Sequence, residues 1–174
     1  MRKLIIFLIT ITLIFSFSKT ASGERLIPDE AIRLRVISNS NSQYDQQIKM
    51  KVKDELQTEM YLLLKDTRNI DEARNIIKSN LGHFDNGIKD TLDKEKYPLG
   101  YSLDFGEHYF PSKKYKGIEY EKGYYESLLV KLGKAEGDNW WCVLFPPLCL
   151  LEGHESTEVE YKFFVKEIIN KFLK

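Results

Sequence analysis

The stretch Gly133–Leu150 reads GKAEGDNWWCVLFPPLCL and gathers both tryptophans, both cysteines and two of the five prolines of the chain into eighteen residues. From Trp140 to Leu150 nothing is charged, in a chain that is 30% charged. The apolar run Trp140–Phe145 is too short for a helix and is bounded by turn residues, so it predicts a strand. Gly133, Gly137, Asp138 and Asn139 make the turn before it. Pro146-Pro147 ends it, because proline has no N–H for a sheet ladder. Side chains alternate along a strand, which sends Trp140, Cys142 and Leu144 to one face and Trp141, Val143 and Phe145 to the other. With both faces apolar, the strand is either central and buried on two sides, or has one face on the core and one on a partner. Cys142 shares a face with Trp140 and cysteine is usually buried, so on the second reading Trp141 is the exposed tryptophan. Trp140, Trp141 and the adjoining Asn139 are therefore candidate partner-binding residues.

Working outward, Gly123–Leu132 alternates Tyr124, Leu128, Val130 and Leu132 against Tyr125, Ser127, Leu129 and Lys131. It predicts a strand that pairs with Trp140–Phe145 as an antiparallel hairpin across the longer GKAEGDN loop. Tyr101, Leu103 and Phe105 alternate with Ser102, Asp104 and Gly106 in another strand running on through Tyr109, and Tyr115–Tyr120 predicts a short edge strand. At the other end, Ala31–Ser38 alternates Ile32, Leu34 and Val36 against Arg33 and Arg35. The two arginines thus leave one sheet face together, solvated or against a partner, and join the candidate binding residues.

Between these strands the period becomes helical. Ser42 and Asp45 open a helix over Gln43–Leu64 with the stripe Ile48, Val52, Leu56 and Leu63; Lys49, Lys51, Lys53, Asp54 and Glu55 read as its solvated face. Asn69 or Asp71 caps a second helical stretch that Gly82 interrupts and Tyr97-Pro98 stops. Thr157 with Glu160 opens an amphipathic closing helix carrying Val159, Phe163, Phe164, Ile168, Phe172 and Leu173. Strand, helices, several strands and a helix predict a single α+β domain, with a mostly antiparallel sheet and helices packed on one face.

The chain opens with a basic Arg2-Lys3, an uncharged run Leu4–Phe17, and small residues Ala21 and Gly23, the three-part layout of a secretory signal cleaved after Gly23. Residues 1–23 are accordingly expected to be a signal peptide and 24–174 the domain. A short uncleaved anchor is the rival, although fourteen helical residues cover only about 21 Å of a hydrocarbon core of about 30 Å. Membrane contact is expected only through this segment if it stays uncleaved. The remaining 151 residues hold 23 basic and 26 acidic side chains, a balance that disfavours a nucleic-acid partner.

Chemistry-bearing patterns are sparse. An exported cysteine can be a nucleophile, which makes Cys142 the candidate of a secreted cysteine hydrolase, but its flanks Trp141 and Val143 would raise the thiol pKa and no base is placed beside it. Cys142 and Cys149 form a disulfide or stay as two buried thiols. A bridge requires the chain to reverse at Pro146-Pro147, since seven extended residues span about 23 Å and a disulfide needs Cα atoms within about 7 Å. C-x6-C with three scattered histidines matches no zinc pattern, and Asp104, Glu107 and His108 read as surface groups. No Walker loop, GxGxxG, HExxH or GxSxG is present, so no cofactor or metal is expected.

Two blocks carry a resemblance. Ile27–Leu56 reads IPDEAIRLRVISNSNSQYDQQIKMKVKDEL; Asp104–Leu150 contains DFG, YFPSKKY, KGYYESLLVKLG and GDNWWCVLFPPLCL. With these the chain resembles the stage II sporulation protein R family of endospore-forming bacteria, departing from it in the GKAEG turn. The resemblance implies a ligand rather than an enzyme, secreted from the forespore into the intermembrane space of the sporulation septum. There it would switch on a membrane-embedded aspartic protease of the mother cell that processes pro-sigma-E. It carries over no catalytic residue.

Overall fold

A computed structural model describes residues 30–115, 117–148 and 158–172, with the backbone alone over 158–163. The signal segment, the Thr157 cap, Cys149 and Leu173 lie outside the described residues. Along the chain run β1 (Ile32–Ile37), α1 (Gln43–Leu64), α2 (Ile70–Ser79), α3 (Leu81–Lys94), β2 (Tyr101–Phe110), β3 (Lys113–Tyr115), β4 (Ile118–Tyr120), β5 (Gly123–Leu132), β6 (Asn139–Phe145) and α4 (Glu158–Phe172). The fold is α+β, and its main sheet has the order β2-β5-β1-β6, antiparallel except where β1 lies parallel to β5.

That order corrects the predicted hairpin. β5 and β6 follow each other in the chain but do not pair, because β1 lies between them. Neighbouring strands are ~4.8 Å apart, so the loop after β5 must cross two spacings, and the backbone of 133–138 is fitted to that crossing. It arches over the residues that follow β1: Glu136 N–H donates to the Asn39 carbonyl at 3.2 Å and Gly137 N–H to the Ser38 carbonyl at 3.0 Å. Lys134 N–H donates to Asn39 Oδ1 at 3.0 Å and Asp138 N–H to Asn41 Oδ1 at 2.6 Å. A Cβ on Gly137 would stand 2.2 Å from Ser38 Oγ and 2.3 Å from the Ser40 carbonyl oxygen, so only glycine allows this approach.

The Asn39–Ser42 turn serves both the loop and α1. Ser42 caps the helix, its hydroxyl accepting from Asp45 N–H at 3.1 Å. Asp45 does not return the bond as in a capping box; its carboxylate accepts instead from Ser40 Oγ at 2.5 Å and Asn39 Nδ2 at 2.9 Å. Lys49 is not on a solvated face. It is buried against the loop, donating to Gln46 Oε1 at 2.5 Å and the Asp138 carbonyl at 3.2 Å, and burial pushes its pKa down. The second helical stretch divides at Asn80, which ends α2 and donates from Nδ2 to the Ile76 carbonyl at 2.8 Å, while Gly82 sits inside α3. Asn69 caps α2, its Oδ1 accepting from Glu72 N–H at 2.9 Å.

Alternation along β1 separates two cores. Ile32, Leu34 and Val36 join Leu128, Val130, Leu132, Cys142 and Leu144 under the apolar stripes of α1, α2 and α3. On the opposite face Trp141, Val143, Tyr125 and Phe110 pack with Ile118 and Tyr120, and with Val165 of α4. The helices are therefore not all on one face. α4 packs Val165, Ile168 and Ile169 with the second core, its Phe172 meets Phe145 of the first at 5.6 Å, and Phe164, predicted on its apolar stripe, is 47% exposed. The predicted edge strand Tyr115–Tyr120 is instead a separate hairpin, β3 with β4, turning at Gly117, whose φ of +73° suits glycine. Among the described residues no helix is long and apolar enough to cross a membrane.

Candidate functional site

Both faces of β6 are covered. Trp140 is half-buried against the first core, with Lys53 Nζ 5.3 Å from its ring centroid. Trp141 is 4% exposed, which overturns its expected place on the surface. It stands edge-on to Phe110 at 5.4 Å and to Tyr120 at 5.1 Å, because the β3–β4 hairpin and the end of β2 fold across this face. Phe145 departs from the predicted alternation. Arg33 pairs with Val143 and Ile32 with Phe145, so Leu144 is an extra residue, and this bulge turns Phe145 into the first core. Asn139 opens the strand opposite Ile37 and is half-buried.

Arg33 is not solvated either. It is 2% exposed, with its guanidinium carbon 3.3 Å from the Tyr125 ring centroid, 5.0 Å from Trp141 and 5.2 Å from Phe110. A planar cation stacked among aromatic faces keeps electrostatic compensation where water is excluded. Arg35 is half-buried; its Nη1 donates to the Tyr109 carbonyl at 2.8 Å, its guanidinium lies 5.3 Å from the Phe110 ring, and burial pulls its pKa down. The structure thus brings Arg33, Arg35 and Trp141 to one face of the sheet, with Arg33 and Trp141 inside the second core and Arg35 half-buried beside them. Trp140 faces away from them.

Cys142 is disulfide-bonded and 5% exposed. Cys149, the partner named from the sequence, lies outside the described residues. A disulfide sulfur is no thiolate, so the hydrolase reading lacks its nucleophile in this form. The space beside Trp141, lined by Lys113, Tyr115, Tyr120 and Val143, measures about 10 Å³, room for one water at most. A larger open groove of about 710 Å³ runs past Asn39, Ser40, Tyr101, Ser102, Lys134 and Glu136.

Asp104 and His108, read from the sequence as surface groups, are joined by a residue that reading did not connect to them, Ser127, and the His108 side chain is only 16% exposed. His108 Nδ1 lies 2.7 Å from Ser127 Oγ and Nε2 2.8 Å from Asp104 Oδ2, a Ser–His–Asp run across β2 and β5. Ser127 is fully buried, so no substrate carbonyl reaches its hydroxyl, and the run acts as a polar clasp between the strands. Among the described residues no three side chains form a metal site.

What β2 and β5 do expose is aromatic. Tyr109 and Tyr124 form a cross-strand pair, 49% and 72% exposed, their rings 5.6 Å apart and inclined at 66°. The next rung pairs Glu107 with Glu126, and Arg74 of α2 binds Glu126 with Nε at 2.7 and 3.0 Å from its two oxygens. Sequence alternation had put Tyr124 on the same face as Leu128 and Val130. The two strands outrun the helical layer there, and that length mismatch is not visible locally.

Set beside known proteins, residues 28–155 match the family model described as stage II sporulation protein R. The chain is 41% identical over 158 residues to the stage II sporulation protein R of Bacillus subtilis (strain 168), covering 89% of this chain and 70% of that protein. No solved structure matches.

Proposed function

The chain belongs to the stage II sporulation protein R family, and on that premise we propose that it is an exported signal between the two compartments of a sporulating cell. It leaves the forespore, enters the space between the septal membranes, and switches on a membrane-embedded aspartic protease that removes the pro-segment of sigma-E. The observation that carries this reading is the family match across residues 28–155, which spans every described element from β1 to β6. The disulfide at Cys142 supports export, because such bonds persist in oxidising compartments and are rare in a reducing cytosol.

The test is genetic. The native gene is deleted, this chain is supplied from the forespore, and sigma-E processing is followed in the mother cell. Restored processing is the expected result. Full export of the chain with no processing would overturn the reading.

A further inference from the structure

β2 and β5 pair from Tyr101/Leu132 to Phe110/Gly123, whereas β1 pairs with β5 only over Ser127–Lys131. β2 and β5 therefore continue as a ribbon, Glu107–Phe110 against Gly123–Glu126. One ribbon face is buried, with Phe110 and Tyr125 in the second core. The other presents two rungs, Glu107/Glu126 and Tyr109/Tyr124. Carboxylates directly opposite each other repel. Arg74 neutralises Glu126 but leaves Glu107, which is exposed and has no ion pair or hydrogen bond among the described residues. Beside that free charge stand two tyrosine rings with their surface in water. Exposed tyrosines at this density are typical of binding hot spots, and aromatic faces attract cations.

Resting on the proposed signalling role, we propose that this rung is where the chain docks on the protein that receives its signal, and that the partner brings an arginine or lysine side chain onto Tyr124 and against Glu107. Arg74 on Glu126 is the internal precedent: a guanidinium already occupies one of the two carboxylates of this face. The occupant is basic because the uncompensated group is an acid and the apolar area beside it is π-rich.

Variants supplied as the sole copy from the forespore test this, with sigma-E processing as readout and export and thermal melting as controls. Glu107→Lys and Tyr124→Ala, both at exposed positions, should be exported and melt like the unmodified protein yet lower processing by about tenfold or more. Tyr124→Phe and Glu107→Asp should keep it. If Tyr124→Leu signals as well as the unmodified chain while Tyr124→Ala does not, the occupant is apolar and the cationic assignment is wrong. If the purified protein is a dimer that Tyr124→Ala converts to monomer, the occupant is a second copy and the proposal fails. If Glu107→Lys and Tyr124→Ala both signal fully where the unmodified chain does, the rung is not the docking point. Failure of the unmodified chain to restore processing would sink the signalling role and this proposal together.

Discussion

Glu59 and Asp45 are carboxylates on the same helix with opposite pH signatures. Glu59 lies over Gly87, where a Cβ would come within 2.8 Å of its Oε1, and its Oε2 has no hydrogen-bond partner among the described residues. Burial pushes its pKa up, against the pull of His83 at 3.3 Å. The folded state then binds this proton more tightly than the unfolded state, so stability falls as pH rises through the raised pKa. Glu59→Gln should raise the melting temperature at about pH 7, with the gain shrinking as pH falls below the ordinary glutamate value of about 4.3 and the unfolded state takes up the proton too. Asp45 runs the other way. The Ser40 hydrogen bond holds its pKa down, outweighing burial, with help from Asn39 and Ser42. Its contribution is present above the ordinary carboxylate range and is lost as pH falls through the lowered pKa. Asp45→Asn should therefore cost stability at about pH 7 and progressively less in acid. At the tryptophans, truncating Trp141 empties a packed site and should cost about 3–5 kcal/mol in urea titrations. Trp140→Ala, at a half-buried position, should cost less.

At the scale of elements, the crossing loop decides the sheet. Replacing Lys134–Asp138 by a two-residue Asn-Gly turn would favour a direct β5–β6 hairpin, since such turns join adjacent strands. That pairing would occupy the place of β1, so the variant should lose the cooperative thermal transition seen by circular dichroism. Gly137→Ala is the milder test. Its methyl would press on the Ser40 carbonyl, a backbone atom that cannot swing aside, and a loss of about 1–3 kcal/mol is expected from this overpacking. These elements were largely legible from local pattern. The range of α1 and the whole of β5 came out as the period predicted, and the cap at Ser42 follows from its hydroxyl. The split at Asn80 and the bulge at Leu144 were not, because each depends on which distant strand or helix lies alongside.

For the whole molecule, the disulfide at Cys142 ties stability to redox state. Reductant should lower the melting temperature of the mature protein by an amount equivalent to about 2–5 kcal/mol, and Cys142→Ala should melt identically with and without reductant. By itself the sequence determined the α+β class, the family, and the apolar character of both faces of Trp140–Phe145, since alternation and composition are written in neighbouring residues; that both faces are covered, Trp141 included, was decided by the tertiary structure. It also placed Arg33 and Arg35 together on one side of β1, which the period of a strand requires. Only the tertiary structure decided that β1 inserts between β5 and β6, that Arg33 is enclosed by Tyr125, Phe110 and Trp141, and that Tyr109 and Tyr124 outrun their helical cover. A local period says which side chains share a face. What covers that face is settled by contacts between residues far apart in the chain, whose energies no window of sequence contains.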